Sequence, residues 1–356
     1  VLVIGGTSSQ LPQLPWTGED PYSALVRKHN PNVQVVNVGH IHHIGHAASA
    51  FYNSGFEDAA AVIVDGSGTR QEVQINEEGQ KNPGFETETI FSCDYEEGIK
   101  PVFQALGGNA DTQRVVSDTM EMDSAITLVK AYEAVSEYLG FGFIEAGKTM
   151  GLAPYGKDDD LIPSLFYGGR GNKNVFVPNY PAGAHIDHTR HPYLTLTEDP
   201  KSWHSDSTKV TDAAKNLAWA VQDETQRLVG DLIEKAVKKT GKKNIVIAGG
   251  YGLNCVANYY YKKRFPDLNI YVDPISHDGG TAIGIAQLVH YTETKDKTLR
   301  PLNTLYLGPK REETYNFGDI ETTDVTPADI AKMISERNIV AMVQGRSEAG
   351  PRALGN

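Results

Sequence analysis

The stretch Ile245-Val-Ile-Ala-Gly-Gly-Tyr-Gly-Leu-Asn-Cys255 reads as a strand that enters a glycine turn and then a helix bearing Asn254 and Asn258. Its unbroken apolar run suits a strand covered on both faces. The glycines allow two uses. Backbone amides at Gly249, Gly250 and Gly252 can cradle a nucleotide, or the turn can simply let strand and helix pack closely. The Lys-Ser/Thr of a P-loop is absent, and the spacing is not G-x-G-x-x-G. Just upstream lies the clearest helix of the chain. Thr211 can cap it, Leu217, Ala218, Val221, Leu228, Val229, Leu232, Ala236 and Val237 form a 3.6-residue stripe, and Gly241 follows Lys238 and Lys239 as the stop. Helix, strand and glycine turn in that order predict an α/β fold of the nucleotide-binding kind.

Working outward, Tyr271-Val-Asp-Pro-Ile-Ser-His-Asp-Gly-Gly-Thr281 places Asp278 after a strand and before Gly279, Gly280 and an apolar helix. A matching loop lies far upstream, where Ala61–Val64 runs into Asp65-Gly66-Ser67-Gly68. Each Asp-Gly pair alone is most simply a tight turn. An Asp at a strand end beside glycines also suits a metal or phosphate site. Before the first loop stands His40-Ile-His42-His43-Ile-Gly-His46. On a helix over 42–52, His42 and His46 are one turn apart and project from one face, the spacing of a two-His metal pair. No Glu follows the first His, so this is not H-E-x-x-H. Strands are also predicted over 1–4 and 33–38, a hairpin over 69–95, and a helix over 125–139. Thr326-Pro-Ala-Asp329 starts another helix reaching about Arg337, with a strand over Ile339–Val343 behind it. Residues 157–210 read as an irregular insertion or lid whose histidines, His185, His188, His191 and His204, have the scattered spacing of solvated loop residues. Glu145 and Lys148 lie among glycines, where Lys148 can touch phosphate or simply sit in a surface turn.

Composition narrows the field. With 33 Lys and Arg against 45 Asp and Glu, the net charge of −12 disfavours non-specific binding to nucleic acid or anionic membranes, which needs a basic face. Two cysteines, Cys93 and Cys255, make no disulfide framework and no C-x-x-C, so a reducing cytoplasm is expected. No run approaches the roughly 18–20 apolar residues of a membrane span.

Taken together, seven segments resemble the O-carbamoyltransferases of the NodU/CmcH/TobZ type. They are His42-His-Ile-Gly-His-Ala-Ala-Ser-Ala-Phe-Tyr52, Val64-Asp-Gly66, Gly147-Lys-Thr-Met-Gly-Leu-Ala-Pro-Tyr-Gly156, Ala248-Gly-Gly-Tyr-Gly-Leu-Asn-Cys255, His277-Asp-Gly-Gly-Thr-Ala282, Tyr306-Leu-Gly-Pro309 and Gly345-Arg-Ser-Glu-Ala-Gly-Pro-Arg-Ala-Leu-Gly-Asn356. The resemblance runs from about residue 33 to the end. It implies an actin-like (ASKHA) bilobal domain with duplicated mixed-sheet lobes, related to the universal tRNA threonylcarbamoylation protein, followed by a YrdC-like domain. The expected division is 1–325 for the actin-like domain, with lobes over about 1–124 and 125–325 and the lid at 157–210, and 326–356 for the start of the YrdC-like domain. The family's opening strand and phosphate loop are expected before Val1, and most of the YrdC-like domain after Asn356. A chain so truncated would hold metal and acceptor but not make its own carbamoyl-adenylate.

The resemblance further implies an enzyme that passes a carbamoyl group from carbamoyl phosphate, by way of ATP and carbamoyl-adenylate, to a hydroxyl of a small molecule. By motif, His42, His46, Asp65 and Asp278 would hold a divalent metal, Fe or Zn, or else Mn, with His42, His46 and Asp65 in the catalytic role. Lys148, Gly249, Gly250, Gly252, Asn254, Gly279, Gly280, Arg346 and Arg352 would face the nucleotide and its phosphates. The two arginines could equally form linker salt bridges. Where the family has Gly-Gly-Val-Ala-Leu-Asn, this chain has Gly-Gly-Tyr-Gly-Leu-Asn, and Tyr251 is expected to narrow the pocket or stack on a base. A homodimer is compatible with this picture. Two other readings are threonylcarbamoyl transfer to tRNA, which the acidic charge opposes, and a non-catalytic actin-like nucleotide-binding module, which would not need a helical His pair beside Asp65.

Overall fold

A computed structural model describes residues 1–6, 18, 20–109, 111–179, 183–187, 210–308, 318, 321–342 and 345–351. In chain order these form β1 (Leu2–Gly6), α1 (Pro21–His29), β2 (Val35–His40), α2 (His42–Ser54), β3 (Asp58–Val64), β4 (Arg70–Gln74), β5 (Lys81–Asp94), β6 (Gly98–Gly107), β7 (Val115–Val116) and β8 (Met120–Asp123). There follow α3 (Leu128–Tyr138), α4 (Ala146–Leu152), the short strands β9 (Phe166–Tyr167), β10 (Arg170–Gly171), β11 (Phe176–Asn179) and β12 (Gly183–Ile186), then α5 (Asp212–Thr240), β13 (Asn244–Ala248), α6 (Cys255–Arg264), β14 (Asn269–Val272), α7 (Gly279–Thr294) and α8 (Pro327–Ser335).

The expected α/β class is what forms. A mixed sheet runs β14-β13-β3-β5-β6-β8-β7, with β4 paired to β5. β3 is an interior strand whose alternate side chains enter two different cores. Ala59, Ala61 and Ile63 pack with Ala47, Ala48 and Phe51 of α2, while Ala60, Val62 and Val64 pack with residues of α3 and α5. That two-faced burial explains the continuous apolar run. The long helix matches its reading: Thr211 accepts a hydrogen bond from the Ala214 amide, and Gly241 closes the helix in the left-handed conformation.

The described residues are organised differently from the expected division in three respects. β13 pairs in parallel with β3, Ile245 opposite Ala60, so the boundary expected near 124/125 cuts through one sheet. Among the described residues there is one large mixed sheet beside three two-stranded pairs, β1-β2, β9-β10 and β11-β12, rather than two equivalent sheets. Part of the expected lid is core rather than loop: Leu165, Phe166, Val175, Phe176 and Ile186 are buried in the cluster that includes α3, because these apolar residues have a sheet face to cover, while Leu161 and Tyr167 are exposed.

The chain divides into compact units over Val1–Pro301 and Leu302–Asn356, not at 325/326. In the second unit, α8 starts at Thr326 as predicted, with Thr326 and Asp329 forming a capping box, yet α8 buries no residue. The strand expected over Ile339–Val343 is not formed across 339–342, where Ile339 is fully exposed. A strand needs a partner for its backbone groups, and none is paired there. Residues 305–308 instead meet 346–349 through the Gly308 amide on the Ser347 carbonyl and the Ala349 amide on the Leu305 carbonyl.

Candidate metal centre

Two helices and two strand ends build the site. α2 begins immediately after β2, and its first turn brings His42 and His46 to the same side, both almost fully buried. β3 ends at Val64 and delivers Asp65 beside them. The third contribution depends on glycine. A Cβ at Gly284 of α7 would lie 2.0 Å from the Gly45 carbonyl oxygen of α2, so the helices touch backbone to backbone. That crossing sets the residue capping α7, Asp278, against the imidazoles.

The ligand atoms converge. His42 Nε2 lies 3.1 Å from Asp65 Oδ2 and 3.5 Å from Asp278 Oδ1, and His46 Nε2 lies 4.0 and 3.6 Å from the same atoms. The two Nε2 atoms are 3.2 Å apart. One donor atom from each of the four residues falls within a 4.8 Å span, and no other such cluster occurs among the described residues. Ligands at about 2.0–2.2 Å from a common ion have mutual spacings of this order.

The electrostatics fit a cation in the middle. Burial alone would lower the His42 pKa, but the carboxylates of Asp278 and Asp65 outweigh it and push it up to about 10. Burial would raise Asp65, yet its hydrogen bond to His42 and the charges of His46 and His42 hold it well below the usual carboxylate range. Hydrogen bonds to His42 and His46 do the same for Asp278. Two imidazole nitrogens facing each other and two carboxylates need positive charge between them. Two neutral imidazoles and two carboxylates would balance one divalent ion.

The glycine loop holds this centre rather than leaving its amides open. Gly249, at φ +90°, brings the loop to the end of β3, where a Cβ would lie 2.3 Å from the Val64 carbonyl oxygen. The Gly250 amide then donates to Asp65 Oδ1 at 2.8 Å. The Gly249 amide donates to Ser276 and the Gly252 amide to Gly249. Gly280 and Gly279 permit the tight start of α7, the Gly280 amide donating to the His277 carbonyl. Asn254 caps α6 through the Ala257 amide and exchanges two hydrogen bonds with Gln222. Tyr251 turns into the core, its hydroxyl donating to Thr225, so it neither stacks on a base nor narrows an open pocket.

Lys148 is not among the converging groups. It is half-exposed and paired with Glu145 at 2.6 Å. Arg346, in the second unit, donates to the Gly308 carbonyl at 2.8 Å. Arg352, His188, His191 and His204 lie outside the described residues, and His185 is exposed on β12. Sequence reasoning missed Asp273. Its buried carboxylate accepts from Ser49 of α2 and from the Ile275 amide, tying the Asp278 loop to the histidine helix. Its signal was position: it ends β14 as Asp65 ends β3.

A mixed α/β protein with a two-His, two-Asp cluster, buried except for Asp278, is the class defined so far. Residues 23–287, which contain all four candidate ligands, match the family described as the carbamoyltransferase N-terminus. The chain belongs to that family. It is 27% identical over 328 residues to nodulation protein NolNO of Sinorhizobium fredii, covering 88% of this chain and 42% of that protein. It is 29% identical over 337 residues to an uncharacterized protein of Synechocystis, covering 88% and 49%. A 3'-hydroxymethylcephem-O-carbamoyltransferase of Streptomyces clavuligerus is 25% identical over 223 residues, covering 60% and 38%. The chain thus spans about half the length, or less, of these curated relatives. Among solved structures, full-length HypF in its phosphate- and nucleotide-bound form gives a TM-score of 0.41 at 13% identity, covering 76% of this chain and 45% of HypF. No described helix is long and apolar enough to cross a membrane.

Proposed function

We propose that this chain performs the transfer step of an ATP-dependent O-carbamoyltransferase. The carbamoyl group passes from carbamoyl phosphate, by way of carbamoyl-adenylate, to a hydroxyl of a small molecule. The observation that carries the reading is the convergence of His42, His46, Asp65 and Asp278 within a 4.8 Å span in a chain of the carbamoyltransferase family. A relative named for O-carbamoylation of a cephem supports a small-molecule acceptor. The domain's likeness to the actin-like fold belongs to the same proposal.

The four residues would hold Fe, Zn or Mn. Such an ion, when bound, supplies a Lewis acid that orients a hydroxyl and lowers its pKa. The chain's own residues do the rest. Asp65 is fixed by the Gly250 amide, and His42 and His46 by a helix buried on every side. The Asp278 side chain is 75% exposed, against 1–10% for the other three, so acceptor and donor enter at Asp278. In the transfer, the acceptor oxygen forms a bond to the carbamoyl carbon and loses its proton to solvent. The bond from that carbon to the phosphate oxygen breaks, and AMP leaves. The amides of Gly249, Gly250 and Gly252 are already committed, so stabilising the developing oxyanion falls to other groups.

The test is metal content and product mass. Purified wild type should retain a first-row metal, and His46→Ala should lose it. Incubation with preformed carbamoyl-adenylate and a metabolite extract should give a product heavier by one carbamoyl group in the wild type alone. Equal metal in both proteins, or no such product, would sink the reading.

A further inference from the structure

Helix α2 carries both histidines, yet it starts without a cap of its own. Ile41 precedes it and makes no side-chain cap hydrogen bond. The first amides of a helix have no partner within it, and buried amides need one. Here the partner comes from 27 residues away. The His42 amide donates to Thr69 Oγ1 at 3.2 Å, in a buried contact.

Thr69 closes the loop that leaves Asp65, and Glu86 of β5 holds that loop. The Asp65 amide donates to the Thr87 carbonyl at 2.8 Å, the Gly68 amide to the Glu86 carbonyl at 2.7 Å, and the Glu86 amide to the Thr69 carbonyl at 3.1 Å. The Glu86 side chain adds a further tie, its Oε2 accepting from the Thr69 amide at 3.0 Å. Its other oxygen accepts from Gln71 at 3.1 Å and Gln104 at 3.2 Å. Glu86 is 5% exposed, and Arg70, beside Thr69, pairs with Glu72 instead. Burial pushes the Glu86 carboxyl up, against the Thr69 and His43 amides that favour its charge. A carboxylate buried among amides alone is a costly way to tie a loop. At a helix start it also complements the dipole of the free amides. Gly68 leaves no slack between them: a Cβ there would lie 2.6 Å from His43 Cδ2 and 3.0 Å from Glu86 Cβ.

We propose that Glu86 and Thr69 are positioning residues of the metal centre. Glu86 holds the loop over 66–69, and Thr69 caps α2 from that loop, so that Asp65 and the His42–His46 pair are set at one spacing. This rests on the metal-centre reading. It gives β5, which supplies no ligand atom, a part in the site.

The experiment titrates cobalt(II) into the metal-free chain, since its visible bands report the geometry of its ligands. Thr69→Val leaves the His42 amide without its acceptor. Glu86→Gln removes the charge and turns one acceptor into a donor that faces donors. Each should weaken cobalt by about 10-fold, the low end for loss of an orienting partner, and should shift the bands. Thr69→Ser keeps the hydroxyl and should bind cobalt as the wild type does, with the same bands. Val229→Ala, in the core around α5, is the control: it should lower the melting temperature without moving the bands. If Thr69→Val fails to fold, Glu86→Gln and Thr69→Ser still carry the test. Folded Thr69→Val and Glu86→Gln proteins with wild-type bands and affinity, however destabilised, overturn the proposal and leave the metal centre standing. An equal band shift in Val229→Ala also overturns it, because lost stability alone would then account for the effect. A metal-free wild type that takes up no cobalt overturns the metal centre and the proposal together.

Discussion

The two Asp-Gly loops look alike in sequence and are built differently. Asp65 is buried, fixed by the Gly250 amide on one oxygen and facing His42 with the other. Asp278 is three-quarters exposed, makes no side-chain cap on its own helix, and owes its place to the crossing of α7 over α2. One carboxylate belongs to the core of the sheet. The other is carried by a helix start that faces outward. A ligand set with one rigid and one open acidic corner can bind an ion firmly and still admit substrate from one side.

The sharpest way to break the comparison is to delete each carboxylate. Asp65→Ala and Asp278→Ala should each weaken metal binding by more than about 100-fold, above the range of outer-shell changes. Their effects on the ion-free fold should differ. Asp65→Ala leaves the Gly250 amide unpaired and should cost about 1–3 kcal/mol. Asp278→Ala loses only the contacts of an exposed carboxylate to His42 and His46, leaves no backbone amide unpaired, and should cost less than Asp65→Ala. Elemental analysis and urea unfolding read the two effects, and equal destabilisation would end the distinction. Next in size is Gly250→Ala. Its Cβ would lie 3.2 Å from Asp65 Oδ1, displacing the rigid carboxylate without touching Asp278. Metal affinity should fall by about 10-fold or more, as it does when a ligand's orienting partner is lost.

This pair also shows what the sequence made legible. The helical His pair, both Asp-Gly loops and the strand before Gly249 could each be placed by period and turn chemistry, since these are local properties. What the glycines do was not legible. Gly249 and Gly250 looked equally like a nucleotide cradle and a packing turn, and only the approach of β13 to β3 shows their amides committed to Ser276 and Asp65. The lobe boundary failed for the same reason. Parallel pairing of residues 245–248 with 60–63 is a long-range event that no local pattern encodes.

A smaller effect separates the proton from the ion. In the ion-free chain Asp278 and Asp65 hold the His42 pKa up to about 10 against its burial, so His42 is protonated at neutral pH. An ion needs the neutral imidazole and must displace that proton. Affinity should therefore rise with pH, by about tenfold per unit between roughly pH 6 and 8, with about one proton released per ion. Calorimetry in buffers of different ionisation enthalpy counts the protons. A flat pH profile would mean that His42 is already neutral and that the two carboxylates do not act on it together.

The smallest effects test the open corner through the helix crossing that holds it. At Gly284 a new Cβ would lie 2.0 Å from the Gly45 carbonyl oxygen and 2.6 Å from the Ser49 amide nitrogen, and backbone cannot yield without moving α7. Gly284→Ala should destabilise by about 1–3 kcal/mol, as overpacking does, and weaken metal binding a few-fold by shifting Asp278. At Gly45 the nearest atoms are side-chain carbons of Ile285 and Thr281 at 3.2 Å, which can give slightly. There the strain is offset by the helix propensity of Ala over Gly, about 1 kcal/mol. Gly45→Ala should therefore change stability by less than about 1 kcal/mol and leave metal affinity nearly untouched. The two glycines face each other across one contact, so unequal costs would locate the constraint in the α7 backbone that carries Asp278. Equal costs would mean that the crossing tolerates either helix moving, and that Asp278 is placed by its own loop, through Asp273 and Ser49, instead.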